Sequence, residues 1–334
     1  MRAPIEAVLP FWLDAPDEEA LEIADAASAA GLSGLWIGEM ATFDAFTLAT
    51  AVGLRAPELG LRVGPLPISV RTPVSIALGA SSVASLTGCH IDVALGASSP
   101  FIVAGWHDRA WSHTAARMRE TIECVRPILR GERADYDGRH VHSHGFRLRH
   151  PLPHTRIGVG TFGPTMTQVG ARFADELVLN LASPQRVSQV RQQVEHHAVA
   201  AGRTPPHLTV WVPVAVRPGE AALRQLAGQL SVYLAPPGYG EMFCELGFAE
   251  LVERARNGAR RAELAAEIPL ELAEHLAAIG APEQVGARLQ DYLQAGADTV
   301  AVIPVTAEDP AGRAALQCAA DSCPITSPAQ ETVP

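Results

Sequence analysis

Short apolar runs alternate with longer amphipathic segments along nearly the whole of this 334-residue chain. The runs Ile5 to Trp12, Leu35 to Ile37, Leu61 to Val70, Ile91 to Leu95, Arg156 to Val159, Leu177 to Leu181, Leu208 to Val216 and Thr299 to Val305 read as strands. They are continuously apolar, as parallel strands buried on both faces should be. Helices are predicted over Asp17 to Ala30 (with Asp17 as cap), Phe43 to Arg55, Pro73 to Leu86, Thr114 to Leu129, Pro164 to Ala174 and Pro184 to Ala201. A long helical region, Glu220 to Leu293, is broken near Pro236-Pro237-Gly238, Pro269 and Pro282. Strand after strand followed by helix predicts an α/β fold, the (β/α)8 TIM barrel. Two insertions interrupt it. One is a hairpin or loop between the fourth helix and fifth strand, around Asp137-Gly138; the other is the helical stretch before the eighth strand. A doubly wound open sheet is the rival, but no GxGxxG follows the first strand. Residues 1–317 read as one domain, and the Pro-, Ser- and Thr-rich tail 318–334 is expected to fray.

Charge and composition narrow the function. The formal net charge is −10, which disfavours a phosphate-gripping surface for nucleic acid or an anionic membrane. The chain contains no lysine, so Schiff-base and P-loop lysine chemistry are excluded and every fixed cation is an arginine. Cys89, Cys124, Cys244, Cys318 and Cys323 form no CxxC pair and read as reduced thiols. The N-terminus lacks the pattern of a signal peptide, and no apolar run is long enough to span a membrane. A cytoplasmic location is expected.

In a TIM barrel the chemistry lies at the C-terminal strand ends. Those ends are rich in glycine, proline and small hydroxyls and poor in His and Asp, which suits a large flat ligand better than a two-metal hydrolase site. The segment Gly160-Thr161-Phe162-Gly163-Pro164-Thr165-Met166 stands out. A strand ends, a glycine turn follows and proline opens a helix whose free N–H groups and dipole suit an anion, a phosphate above all. An ordinary strand-to-helix turn is the plainer reading of the same residues.

Four blocks in register carry a resemblance. Gly163-Pro164-Thr165-Met166 with Gly170 to Asn180, Leu61-Arg62-Val63-Gly64 with Arg71-Thr72-Pro73, Val93 to Ser98, and Trp106-His107-Asp108-Arg109 together resemble the luciferase-like superfamily. Within it they most resemble the branch that uses the deazaflavin coenzyme F420. The likeness covers roughly residues 5–305. It implies an oxidoreductase whose deazaflavin lies across the barrel mouth and exchanges a hydride at C5 with a small organic substrate. The phosphate tail would meet the N–H groups of Gly160 to Thr165, and Met166 and Ser98 would also bind the cofactor. A third-strand bulge, often carrying a non-proline cis peptide, would back the ring within Leu66-Pro67-Ile68-Ser69.

Single residues leave alternatives open. Glu39, ending the second strand, reads either as an acceptor for the cofactor, with a possible catalytic part, or as an Arg-paired or capping carboxylate. Met40-Ala41 follows it where sugar-phosphate-oxidising relatives carry a histidine. His107 is the remaining acid–base candidate, or else a surface or tail-binding histidine. Trp12, Trp106 and Trp211 are expected to shape the substrate pocket. His140, His142 and His144 alternate along the inserted hairpin, and a solvated face is favoured there over a metal site; His196-His197 reads as surface. No metal is expected. FMN is the alternative cofactor, for a monooxygenase on the same barrel. A non-catalytic flavin-binding barrel and a metal-dependent hydrolase are further rivals. The resemblance also implies a homodimer paired through barrel helices.

Overall fold

The computed structural model describes residues 5–11, 15–39 and 41–322. Eight parallel strands close a barrel: β1 (Ile5–Val8), β2 (Gly34–Ile37), β3 (Gly60–Pro67), β4 (Ile91–Gly96), β7 (Ile157–Gly160), β8 (Glu176–Asn180), β9 (His207–Val216) and β11 (Thr299–Pro304). β11 pairs with both β9 and β1, which shuts the ring. The predicted hairpin is present as β5 (Asp135–Asp137) and β6 (His142–His144), between α4 (Thr114–Leu129) and β7.

Around the barrel run α1 (Glu19–Ala29), α2 (Ala45–Arg55), α3 (Pro73–Thr87), α4, α5 (Pro164–Phe173), α6 (Pro184–Ala200), α12 (Pro282–Gln294) and α13 (Arg313–Ser322). Their starts follow local chemistry. The Asp44 carboxylate accepts the Thr47 N–H at 2.9 Å, Thr72 and Ser183 cap α3 and α6, and prolines open α3, α5, α6 and α12. Asp17 does not cap α1 as expected; the helix starts two residues later, with Glu18 in the cap position. The helical insertion is α7 (Glu220–Tyr233), α8 (Tyr239–Glu245), α9 (Ala249–Arg256), α10 (Arg261–Glu267) and α11 (Leu270–Leu276). It packs around its own core of Leu226, Leu230, Phe243 and Leu272. The elements not foreseen include a π-helical turn, Phe101–Trp106, and a short strand β10 (Ala278–Gly280) parallel to the end of β9. Helix α13 runs to Ser322, past the expected domain boundary at 317, with Ala315, Leu316 and Ala319 buried.

Strand residues of one parity face the helices, among them Leu61, Val63, Ile91, Val93, Ile157 and Leu177. The other parity fills the barrel. Its floor is ionic: Arg62 pairs with Glu6 at 2.9 Å and with Asp92, and the Trp36 indole donates to Glu6 at 2.9 Å. Above lies an apolar layer of Val8, Trp36, Ala94, Val178, Trp211 and Ala301. No helix among the described residues is long and apolar enough to cross a membrane.

Candidate active site

The third strand decides what the mouth presents. Val63 pairs with Val93 and Leu66 with Leu95, so three steps on β3 match two on β4. That single extra residue is a β-bulge, and it inverts the parity of everything after it. Leu66 and Ile68 therefore turn outward into the helix-facing core, at 0% and 4% exposure. This corrects the expectation that Leu66 to Ser69 back a ring as one block. The bulge lies at Gly64-Pro65, two residues earlier than expected, and the cis peptide is Gly64–Pro65, a proline bond.

Pro65 is the residue so delivered. A Cβ on Gly96 would lie 2.9 Å from its Cβ, and one on Gly160 would lie 3.1 Å from its Cγ. One proline ring thus spans the tops of β4 and β7, and only glycines on those strands leave it room. Gly64 has φ of 133°, and a Cβ there would meet the Ala94 carbonyl oxygen at 2.2 Å, so glycine is obligatory at this close approach. Pro67, level with Gly96, and Ser69 follow on the same strand end. The Ser69 hydroxyl is buried without a hydrogen-bond partner.

Beside this platform, Gly160-Thr161-Phe162-Gly163 leads from β7 into α5 at the C-terminal face. Gly163 occupies the cap position with no side chain, Pro164 carries no N–H, and a Cβ on Gly163 would meet open space. The first-turn amides of Thr165 and Met166 lack an intrahelical partner, as at any helix start. Thr161 and Thr167 brace the turn through their hydroxyls at 3.0 Å, and Thr167 donates to the Gly163 carbonyl. A cation missed at the sequence level stands here. Arg186, in the first turn of α6, donates to the Phe162 carbonyl at 2.9 Å, and its Nε is buried without a partner. In a lysine-free chain, an arginine opening the helix after β8 was the signal available.

Glu39 is held by Arg71 in a two-pronged ion pair, with Arg71 Nε at 2.8 Å from Oε2, and Arg71 also binds Asp44. The geometry is that of the Arg-paired alternative. The Glu39 contact and then Asp44 raise the Arg71 pKa further, outweighing burial, which alone would lower it. Burial alone would raise the Asp44 carboxyl; Arg71 and the Thr47 N–H outweigh it and hold it below its ordinary value.

The other expected residues differ in exposure. His107 sits on an exposed segment after the π-helical turn, and Ser98 is exposed at the rim with φ of 57°. Trp106 is 48% exposed and packs edge-on against Phe101. Trp211 lies inside the barrel, edge-on to Trp36 at 5.4 Å, and its indole nitrogen is buried without a partner. Trp12 falls outside the described residues. On the hairpin, His142 and His144 pair with Asp137 and Asp135 at 3.0 and 3.1 Å. Among the described residues no group of three or more His, Cys, Asp or Glu could hold a metal ion.

An aromatic cluster that the sequence did not suggest stands over the ends of β7 and β8. Phe162 packs on Tyr239 at 4.3 Å, and Tyr239 on Tyr233 at 4.8 Å. Asn180, the last residue of β8, lies beside both phenols, and its Oδ1 is buried without a hydrogen-bond partner.

The family profile for luciferase-like monooxygenases matches residues 11–299. A protein of Mycobacterium tuberculosis assigned to the coenzyme F420-dependent oxidoreductases is 24% identical over 92% of this chain and 97% of its own. Among solved structures, the coenzyme F420-dependent tetrahydromethanopterin reductase of Methanopyrus kandleri superposes with a TM-score of 0.80 at 16% identity, covering 95% of this chain and 97% of that one. An F420-dependent secondary alcohol dehydrogenase bound to an F420-acetone adduct also gives 0.80, at 14% identity, with 97% and 99% covered.

Proposed function

The chain belongs to the luciferase-like monooxygenase family, and from that premise we propose that it is an F420-dependent oxidoreductase acting on a small organic substrate. The observation that carries this reading is the platform of Pro65, Pro67, Gly96 and Gly160 beside the uncapped turn at Gly163. The residues present fit a deazaflavin. The small-residue mouth leaves a flat ring a surface to lie on, and the buried, unpartnered Ser69 hydroxyl offers a polar contact to its edge. The amides of Thr165 and Met166, with Arg186 alongside, would hold the phosphate of its tail. When bound, the deazaflavin supplies or accepts a hydride. The chain's own task is to orient the ring, exclude water and place the substrate on its open face. Trp106 and Phe101 would cover that side. Glu39 acts through Arg71, fixing the turn before α3, and does not itself touch the ring.

The M. tuberculosis relative and both F420-dependent neighbours support the deazaflavin over FMN. The same turn would serve the phosphate of FMN, and the family's description as monooxygenases keeps that reading second. A homodimer is proposed on the exposure of Leu54, Leu78 and Leu86 on α2 and α3, at 65%, 51% and 66%. A reducing, cytoplasmic setting fits the free thiols of Cys89, Cys124, Cys244 and Cys318. The test is anaerobic turnover. Reduced deazaflavin should be oxidised by a panel containing enones, imines and ketones, or oxidised deazaflavin reduced by alcohols. Substrate-dependent oxygen uptake with FMN, and none of these reactions, would reverse the assignment.

A further inference from the structure

We propose that Tyr239, supported by Asn180 and Tyr233, binds the oxygen of a carbonyl-bearing substrate and exchanges a proton with it. The inference rests on the hydride-transfer reading above and deepens it. It starts from placement. Asn180 ends β8 at the C-terminal face, level with the inward-facing Trp211 of β9. Tyr233 ends α7 and Tyr239 opens α8, so the five residues between them carry both phenols to one point over the barrel.

That connection is firmly held. Gly238, at φ of 89°, lets the chain press on Phe162, with a Cβ there only 3.2 Å from its ring. Glu241 accepts the Gly238 N–H and binds Arg256 at 2.5 Å, while Arg256 also reaches the Ala235 carbonyl. Pro236 and Pro237 stiffen the same stretch.

The hydrogen-bond inventory points to a ligand. Asn180 lies beside the Tyr239 phenol, yet no O–H reaches its Oδ1, so the Tyr239 hydroxyl is left to donate to a ligand. Asn180 Oδ1 is a buried acceptor with no partner in the protein. A free donor and an orphaned acceptor side by side match a hydroxyl, which accepts from one and donates to the other. They equally match the carbonyl oxygen from which that hydroxyl forms. Burial, and then the neighbouring Tyr233, hold the Tyr239 phenol well above its ordinary pKa, so it carries its proton throughout the neutral range. Of the other acid–base candidates, Glu39 is tied to Arg71, and His107 is exposed on a different loop.

The step balances. The carbonyl carbon gains a hydride, with two electrons, from reduced deazaflavin, forming a C–H bond. The C=O π pair moves to oxygen, which takes the Tyr239 proton to become a hydroxyl. The tyrosinate left behind regains a proton from solvent by way of Tyr233. With an enone, the hydride goes to the β-carbon and the same proton to the enolate oxygen. The reverse sequence oxidises an alcohol.

The test uses the full chain and begins without cofactor. 4-Nitrophenolate mimics the oxyanion on an aromatic body that suits Phe162 and Tyr239, and its absorbance reports hydrogen bonding. Tyr239→Phe keeps the ring packing; it should weaken 4-nitrophenolate binding at least tenfold and leave nitrobenzene binding unchanged. Tyr136→Phe, on the hairpin, should alter neither. With reduced deazaflavin and 2-cyclohexenone, Tyr239→Phe should lower kcat more than tenfold with a smaller change in KM. Its kcat should fall with rising pH while wild-type kcat stays flat, because the variant must draw its proton from solvent. Unchanged 4-nitrophenolate binding in Tyr239→Phe, or an unchanged kcat and pH profile, overturns the proposal. Failure of the protein to bind deazaflavin would be a different result: the hydride reading and the proton step fall together, while Tyr239-dependent 4-nitrophenolate binding would still establish the oxygen site.

Discussion

The ring of Pro65 occupies the space that a side chain on Gly96 would need, 2.9 Å from a Cβ built there. Gly96→Ala therefore pushes on a proline that has no rotamer to escape into. An overpacking cost of about 1–3 kcal/mol is expected in urea unfolding. Because the displaced group is the mouth platform, deazaflavin affinity should fall further than stability does. Retained affinity in Gly96→Ala would remove Pro65 from the cofactor site.

Arg62 holds the carboxylates of Glu6 and Asp92 together inside the barrel, where it is 4% exposed. Arg62→Met leaves two buried carboxylates without their shared cation, and loss of about 3–5 kcal/mol is expected by chemical denaturation. A mild effect would mean that Arg156, which also reaches Asp92, carries more of the charge balance than Arg62.

Glu120 ties the inserted hairpin to α4 by accepting the His140 and Val141 N–H groups at 2.7 and 3.0 Å. Burial alone would raise its carboxyl, but those backbone donors, with Arg139, hold it below the ordinary value. A depressed folded-state pKa gives stability that is present above the unfolded carboxylate pKa of about 4.3. That stability is lost as pH falls through the lower folded value. Below about pH 4, urea midpoints should drop more steeply for wild type than for Glu120→Ala. The variant should already show faster amide exchange across β5 and β6 at neutral pH.

Glu39 and Arg71 stand 18% and 17% exposed as side chains, shielded enough for their two-pronged bond to matter. Glu39→Gln and Arg71→Met should each cost about 1–3 kcal/mol. The double variant should cost clearly less than the sum of the two, since both remove one interaction. Additive losses in urea melts would show that the pair is not coupled.

Much of the barrel was legible because buried parallel strands and capped helices leave periodic traces that proline and glycine punctuate. The turn at Gly163-Pro164 was legible for the same reason, its chemistry being backbone chemistry. What could not be read was parity after the bulge. One extra residue near Gly64-Pro65 turned Leu66 and Ile68 outward and brought Pro65 in, and no periodicity announces an insertion of one. The cluster of Asn180, Tyr233 and Tyr239 escaped because Asn180 lies more than fifty residues before the two tyrosines and meets them only when the helical insertion folds back over β8. Glu39 could not be assigned, since a carboxylate at a strand end looks the same whether it faces a ligand or an arginine.

The most direct test of the central claim is an equilibrium titration of the purified protein with coenzyme F420 and, separately, with FMN, followed by fluorescence or calorimetry. The account predicts saturable binding of the deazaflavin, stronger than that of FMN, and weakened at least tenfold in Arg186→Ala through loss of the cation beside the Gly163 turn. Submicromolar FMN binding with negligible deazaflavin binding would contradict the assignment of cofactor, and binding of neither would contradict the site itself.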